Sequence, residues 1–113
     1  MGRPEKRNTQ RFKKRVSCEL LFEERRYSGI VLDVSPQGLF IQTAAKPKLG
    51  RRVMVLLRLP GVGTCELATR VARLKMVPPQ LLSVVNGGVG LFVEMPTPEF
   101  DRLIAEASGT SGS

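Results

Sequence analysis

The sequence predicts an all-β fold: a six-stranded antiparallel β-barrel with a short C-terminal α-helix. Three observations predict it. Apolar residues recur at every second position over long stretches, as at Val16, Cys18, Leu20 and Phe22 and again at Val53, Val55, Leu57 and Leu59, the period of a half-buried strand. The alternating runs are separated by short segments holding Gly, Pro, Asp, Ser and Asn, which favours hairpins over long crossovers. Helical spacing occurs only near the C-terminus, so no helix intervenes between strands and an antiparallel sheet closed on itself is the simplest architecture.

In chain order, residues 1–10 (MGRPEKRNTQ) have no apolar residue after Met1 and cannot offset the entropy of ordering, so they read as a flexible basic N-terminal arm. The barrel domain spans 11–107. Its first strand opens at Val16, and Glu23-Glu24-Arg25-Arg26 makes a charged hairpin. A second strand runs from Tyr27 to Asp33, a third from Leu39 to Thr43. Lys46-Pro47-Lys48 and Gly50 mark a loop. Arg51 to Leu59 and Cys65 to Leu74 form a long hairpin about Pro60-Gly61-Val62-Gly63-Thr64; the Gly-x-Gly there lacks a following helix and reads as turn chemistry, not a phosphate loop. Pro78-Pro79 breaks any regular element in 75–88, and Leu81, Leu82, Val84 and Val85 read either as a flap over the barrel or as a partner-binding patch. Asn86-Gly87-Gly88 turns the chain into the last strand, Val89 to Met95. Thr97 is an N-cap, Pro98 suits the first helical position, and Phe100, Leu103, Ile104 and Ala107 form one apolar stripe. Residues 108–113 are a small-residue tail read as disordered.

The chain has 113 residues, enough for one domain, and a formal net charge of +8. Six of those charges fall in residues 1–15, where Arg3, Lys6, Arg7, Arg11, Lys13, Lys14 and Arg15 face Glu5 alone. Such an arm suits an anionic partner, although a merely solubilising tail has the same composition. No run is long enough to span a membrane and no leader is visible, so a cytoplasmic location without membrane insertion is expected. The two cysteines, Cys18 and Cys65, sit in alternating runs and read as buried, reduced packing residues, too few and too far apart for a metal site. With no histidine, no metal cluster and no activated nucleophile, an enzyme is not expected.

The most informative stretch is Asp33-Val34-Ser35-Pro36-Gln37-Gly38, a D-x-S-x-x-G turn between two apolar runs. A carboxylate, a hydroxyl and a glycine on a rigid hairpin can face a ligand; they can equally be turn formers bonding to nearby backbone. Upstream lies Arg11-Phe12-Lys13-Lys14-Arg15, an R-x-x-x-R motif, with Arg7 forming an overlapping second one.

An R-x-x-x-R arm, a strand, and D-x-S-x-x-G between two strands resemble the PilZ domain family, and the ending Gly88-Val89-Gly90-Leu91-Phe92-Val93 followed by a short helix is similar too. The resemblance covers roughly residues 11–107. It implies a bacterial receptor for cyclic di-GMP, with no other cofactor. Arg11 and Arg15 would clamp the ligand against Asp33, Ser35 and Gly38 as the arm closes, and Arg7 is an additional candidate contact. The chemistry is compatible. Guanidinium groups match guanine O6/N7 and phosphate, a carboxylate accepts from guanine's N–H edge, and glycine admits close approach. The resemblance also implies signalling through protein contacts, as in regulation of motility. Two rivals stand beside it: an adaptor of the same fold that binds protein but not nucleotide, and a small basic barrel binding nucleic acid. The latter is disfavoured by five Phe and one Tyr at mostly core-like positions.

Overall fold

The computed structural model describes residues 10–75 and 87–109. Within them the chain forms β1 (Phe12–Phe22), β2 (Arg25–Ser35), β3 (Gly38–Thr43), β4 (Arg52–Leu59), β5 (Gly63–Lys75), β6 (Gly88–Val93) and α1 (Pro98–Ser108). The six strands close into an antiparallel barrel in the order β1-β2-β3-β6-β5-β4. Every strand is paired on both sides, which removes the exposed edges that an open sheet of this size would carry.

The alternation places the core where it was expected. Val16, Cys18 and Leu20 of β1, Val53, Val55, Leu57 and Leu59 of β4, and Cys65, Leu67 and Val71 of β5 all point inward and are buried. Helix α1 packs on β1 and β2, and its Phe100 and Leu103 join the same core, with Ile104 and Ala107 against its margin. Its ends are satisfied locally. The Thr97 hydroxyl accepts from the Phe100 N–H at 3.2 Å, and Gly109 (φ 79°) donates back to the last turn. Burial pushes the Cys18 thiol up to about 12, with the neighbouring Glu19 carboxylate adding to the shift, so this cysteine is a protonated packing residue at neutral pH.

Several boundaries differ from the sequence expectation. β1 begins at Phe12 rather than Val16, because Phe12 and Lys13 pair with Val34 and Asp33 across a bulge that also contains Lys14 and Arg15. The polar turn between β2 and β3 shrinks to Pro36-Gln37. β2 continues through Ser35, which pairs directly with Gly38. The charged hairpin tightens similarly to Glu23-Glu24, both with positive φ (53° and 59°). The segment containing Leu81, Leu82, Val84 and Val85 lies outside the described residues, as does Arg7.

Candidate functional site

Register assembles the site. One transverse row crosses five strands: Lys13 pairs with Asp33, Asp33 with Phe40, Phe40 with Gly90, and Gly90 with Arg73. Three bulges meet this row, each adding one residue to one strand: on β1 between Lys13 and Val16, on β2 between Val31 and Asp33, and on β5 between Val71 and Arg73. A bulge re-aims side chains and increases local twist. Here Val31 and Val34 both stay buried while Asp33 between them remains partly exposed. Likewise Val71 is buried while Ala72 and Arg73 are exposed.

The arginine and aspartate motifs meet. Arg11 Nε donates to Asp33 Oδ1 at 2.6 Å, joining residues 22 apart in sequence. The bond uses one donor of the guanidinium and one carboxylate oxygen. Among the described residues both terminal nitrogens of Arg11 and Oδ2 of Asp33 remain available to a third party. The other exposed arginines that pair do so with glutamates away from this row. Arg26 and Arg58 hold Glu19, Arg51 holds Glu23, and Arg52 and Arg70 hold Glu94.

Ser35 and Gly38 are tied into the fold. The Ser35 side chain is buried, and its Oγ accepts from the Gln37 and Gly38 N–H groups at 3.3 and 3.1 Å, a serine turn that fixes the hairpin. Both lone pairs are then used, which leaves the hydroxyl hydrogen to donate. Gly38 has no side chain for a reason that the sequence does not disclose. A Cβ there would collide with the backbone carbonyl oxygen of Leu91 on β6.

Arg15 is not brought to Asp33. It lines a separate cleft with Lys14, Val16, Leu59, Arg102 and Leu103, between the start of β1 and α1.

Sequence reasoning missed Arg73. It stands between two adjoining depressions. One is walled by Asp33, Phe40, Leu74 and Lys75, the other by Arg11, Ser35, Gln37, Gly38 and Phe92. Its guanidinium carbon sits 5.8 Å from the centre of the Phe40 ring, a cation–π contact. Its aliphatic stem lies over Gly90, where a Cβ would meet Cγ at 2.8 Å. The Gly-Val-Gly sequence at 88–90 was the available signal. Gly88 makes room for the Phe40 ring and Gly90 for Arg73. The surface around Asp33 is therefore cationic, with Arg11, Lys13, Arg73 and Lys75 about a single carboxylate.

The sequence model of the PilZ domain family matches residues 5–107. No curated protein sequence matches the chain. Among solved structures, the Bacillus subtilis inhibitor of motility (MotI/DgrA) superposes with a TM-score of 0.69 at 16% identity, covering 94% of this chain and 50% of that one. The PilZ domain of Escherichia coli YcgR, solved with c-di-GMP, gives 0.69 at 14% identity over 93% of each chain. YcgR from Escherichia coli in complex with c-di-GMP gives 0.67 at 10% identity, covering 90% of this chain and 44% of that one. The chain thus spans about half the length of the Bacillus protein and less than half of YcgR. At these identities the structures establish a shared fold.

Proposed function

The chain belongs to the PilZ domain family, and from that premise we propose that it is a receptor for cyclic di-GMP that signals through protein contacts. The observation that carries the proposal is the Arg11–Asp33 bond, which unites the two motifs at one point on the barrel surface. The ligand is a ring of two guanosines and two phosphates. Asp33 Oδ2 accepts from the N–H edge of a guanine. The terminal nitrogens of Arg11 and the guanidinium of Arg73 serve phosphate oxygens or guanine O6 and N7. The Ser35 hydroxyl donates from the hairpin, and Gly38 keeps the adjoining surface low. Arg15, which faces the cleft beside α1, joins only if the segment from Arg11 to Arg15 rotates about its bulge. Closing of the basic arm over the ligand would produce that rotation, and Arg7 would add a contact. Because Arg15 lies beside α1, such a movement would also change the surface offered to a partner. Control of motility is the process we propose, by analogy with the Bacillus inhibitor of motility.

Calorimetric titration of the protein with cyclic di-GMP, beside linear GMP and single-stranded DNA, tests the reading. Saturable heat with cyclic di-GMP at physiological salt, and none with the others, is expected. No heat with cyclic di-GMP would favour an adaptor that acts by protein contact alone. Binding only to DNA, falling steeply with salt, would favour a nucleic-acid barrel.

A further inference from the structure

Strands β3 and β6 carry a checkerboard on their outer face. Phe40 pairs with Gly90 and Gly38 with Phe92, and no bulge separates the two pairs. Residues two apart on a strand share a face, and Leu39 and Leu91 between these positions are buried, so Phe40 and Phe92 both point outward. The two rings occupy one diagonal, spaced on the order of 7–8 Å between backbones, and the two glycines occupy the other.

The rings are not equivalent. Phe40 is already covered by the Arg73 guanidinium. Phe92 is 50% exposed and, among the described residues, has no aromatic or cationic partner. Its cross-strand neighbours leave it free. Gly38 has no side chain, and Arg70 is held by Glu94 and by the Gly50 carbonyl oxygen. A single exposed phenylalanine is ordinary on a protein surface. Its position sets this one apart, because Phe92 walls the same depression as Arg11, Ser35 and Arg73. Of the described residues lining the two depressions, Asp33 is the sole acid, so among them a guanine N–H edge finds a carboxylate on one side only.

We propose that Phe92 is the stacking platform for one purine base of the cyclic dinucleotide, while Asp33 reads the edge of the other base. This deepens the receptor reading above and rests on it. The bases of the ligand are flat and apolar on their faces. A ring whose cross-strand neighbour, Gly38, has no side chain offers such a face a support that needs no base-specific hydrogen bond. Arg73, standing between the depressions, is placed for the phosphates that join the two nucleosides.

The test is calorimetric titration with cyclic di-GMP of the full chain and of Phe92→Ala, Phe92→Leu and Phe92→Trp, with melting curves for each. Because the side chain is half exposed, all three variants should fold like the parent. Phe92→Ala should weaken binding about five- to hundredfold. Phe92→Leu should weaken it similarly, since it restores apolar bulk but no π face. Phe92→Trp should retain affinity. The parent chain has no tryptophan, so the fluorescence of that single indole should be quenched as guanine stacks on it. Parent binding with unchanged affinity in Phe92→Ala, or full affinity in Phe92→Leu, would overturn the stacking role and leave the receptor reading intact. No binding by the parent chain would overturn both.

Discussion

Arg11→Ala is expected to weaken cyclic di-GMP binding at least about tenfold, and Asp33→Ala by about as much or more, since each removes charge-assisted hydrogen bonds worth roughly 1.5–3 kcal/mol. Stability should scarcely change. The Arg11–Asp33 pair is 35% and 29% exposed in its side chains, and ion pairs at such surfaces contribute about 0–1 kcal/mol. The two effects should not add. The groups touch, and each orients the other, so the double variant should lose less affinity than the two single losses combined. Titration of the three variants, each with a melting curve, checks this. Full additivity would mean that the bond between them has no part in shaping the site.

Gly38→Ala should instead unfold the site from below. The new methyl group meets the Leu91 carbonyl oxygen, which belongs to backbone and cannot swing aside, so β3 and β6 must separate where the barrel closes. Overpacking of this kind costs about 1–3 kcal/mol, and collision with a paired strand places the substitution at the upper end. For a domain of this size the melting temperature should fall by roughly 10 °C or more. Any accompanying loss of ligand binding then reports the fold. Gly90→Ala makes an instructive contrast, because the obstructing atoms there are the flexible stem of Arg73 and can move. Thermal melts of the two variants should differ clearly, with Gly38→Ala much the less stable.

The contrast between these glycines shows what the sequence could and could not convey. The alternation at Val16-Cys18-Leu20 and Val53-Val55-Leu57-Leu59 specified strands because one face of each must leave water. Thr97 and Pro98 specified the start of the helix because its first N–H groups need a partner. Those signals are local. The reason for Gly38 lies on β6, more than fifty residues away, and emerges only once register is known. The D-x-S-x-x-G motif was visible, but its division of labour was not. Ser35 is buried and spends its oxygen on the turn, while Asp33 is tilted outward by a bulge that no pattern announces. Arg73 was hidden for the same reason. Strict alternation from Cys65, Leu67 and Val71 would turn Arg73 inward, and only a bulge opposite Gly90 sets it between the two depressions. In sequence the basic motif reads as an arm ahead of the first strand. Its lysines hid the fact that Phe12 and Lys13 already pair with β2.

The proposed receptor holds cyclic di-GMP where Arg11 meets Asp33. A crystal structure of the saturated complex tests it most directly. The dinucleotide should lie across the Lys13–Asp33–Phe40–Gly90–Arg73 row, with Asp33 on one guanine and Arg11 and Arg73 on phosphate or base oxygens. A complex with the ligand bound elsewhere, and with Arg11 and Asp33 still bonded only to each other at the solvent boundary, would contradict it.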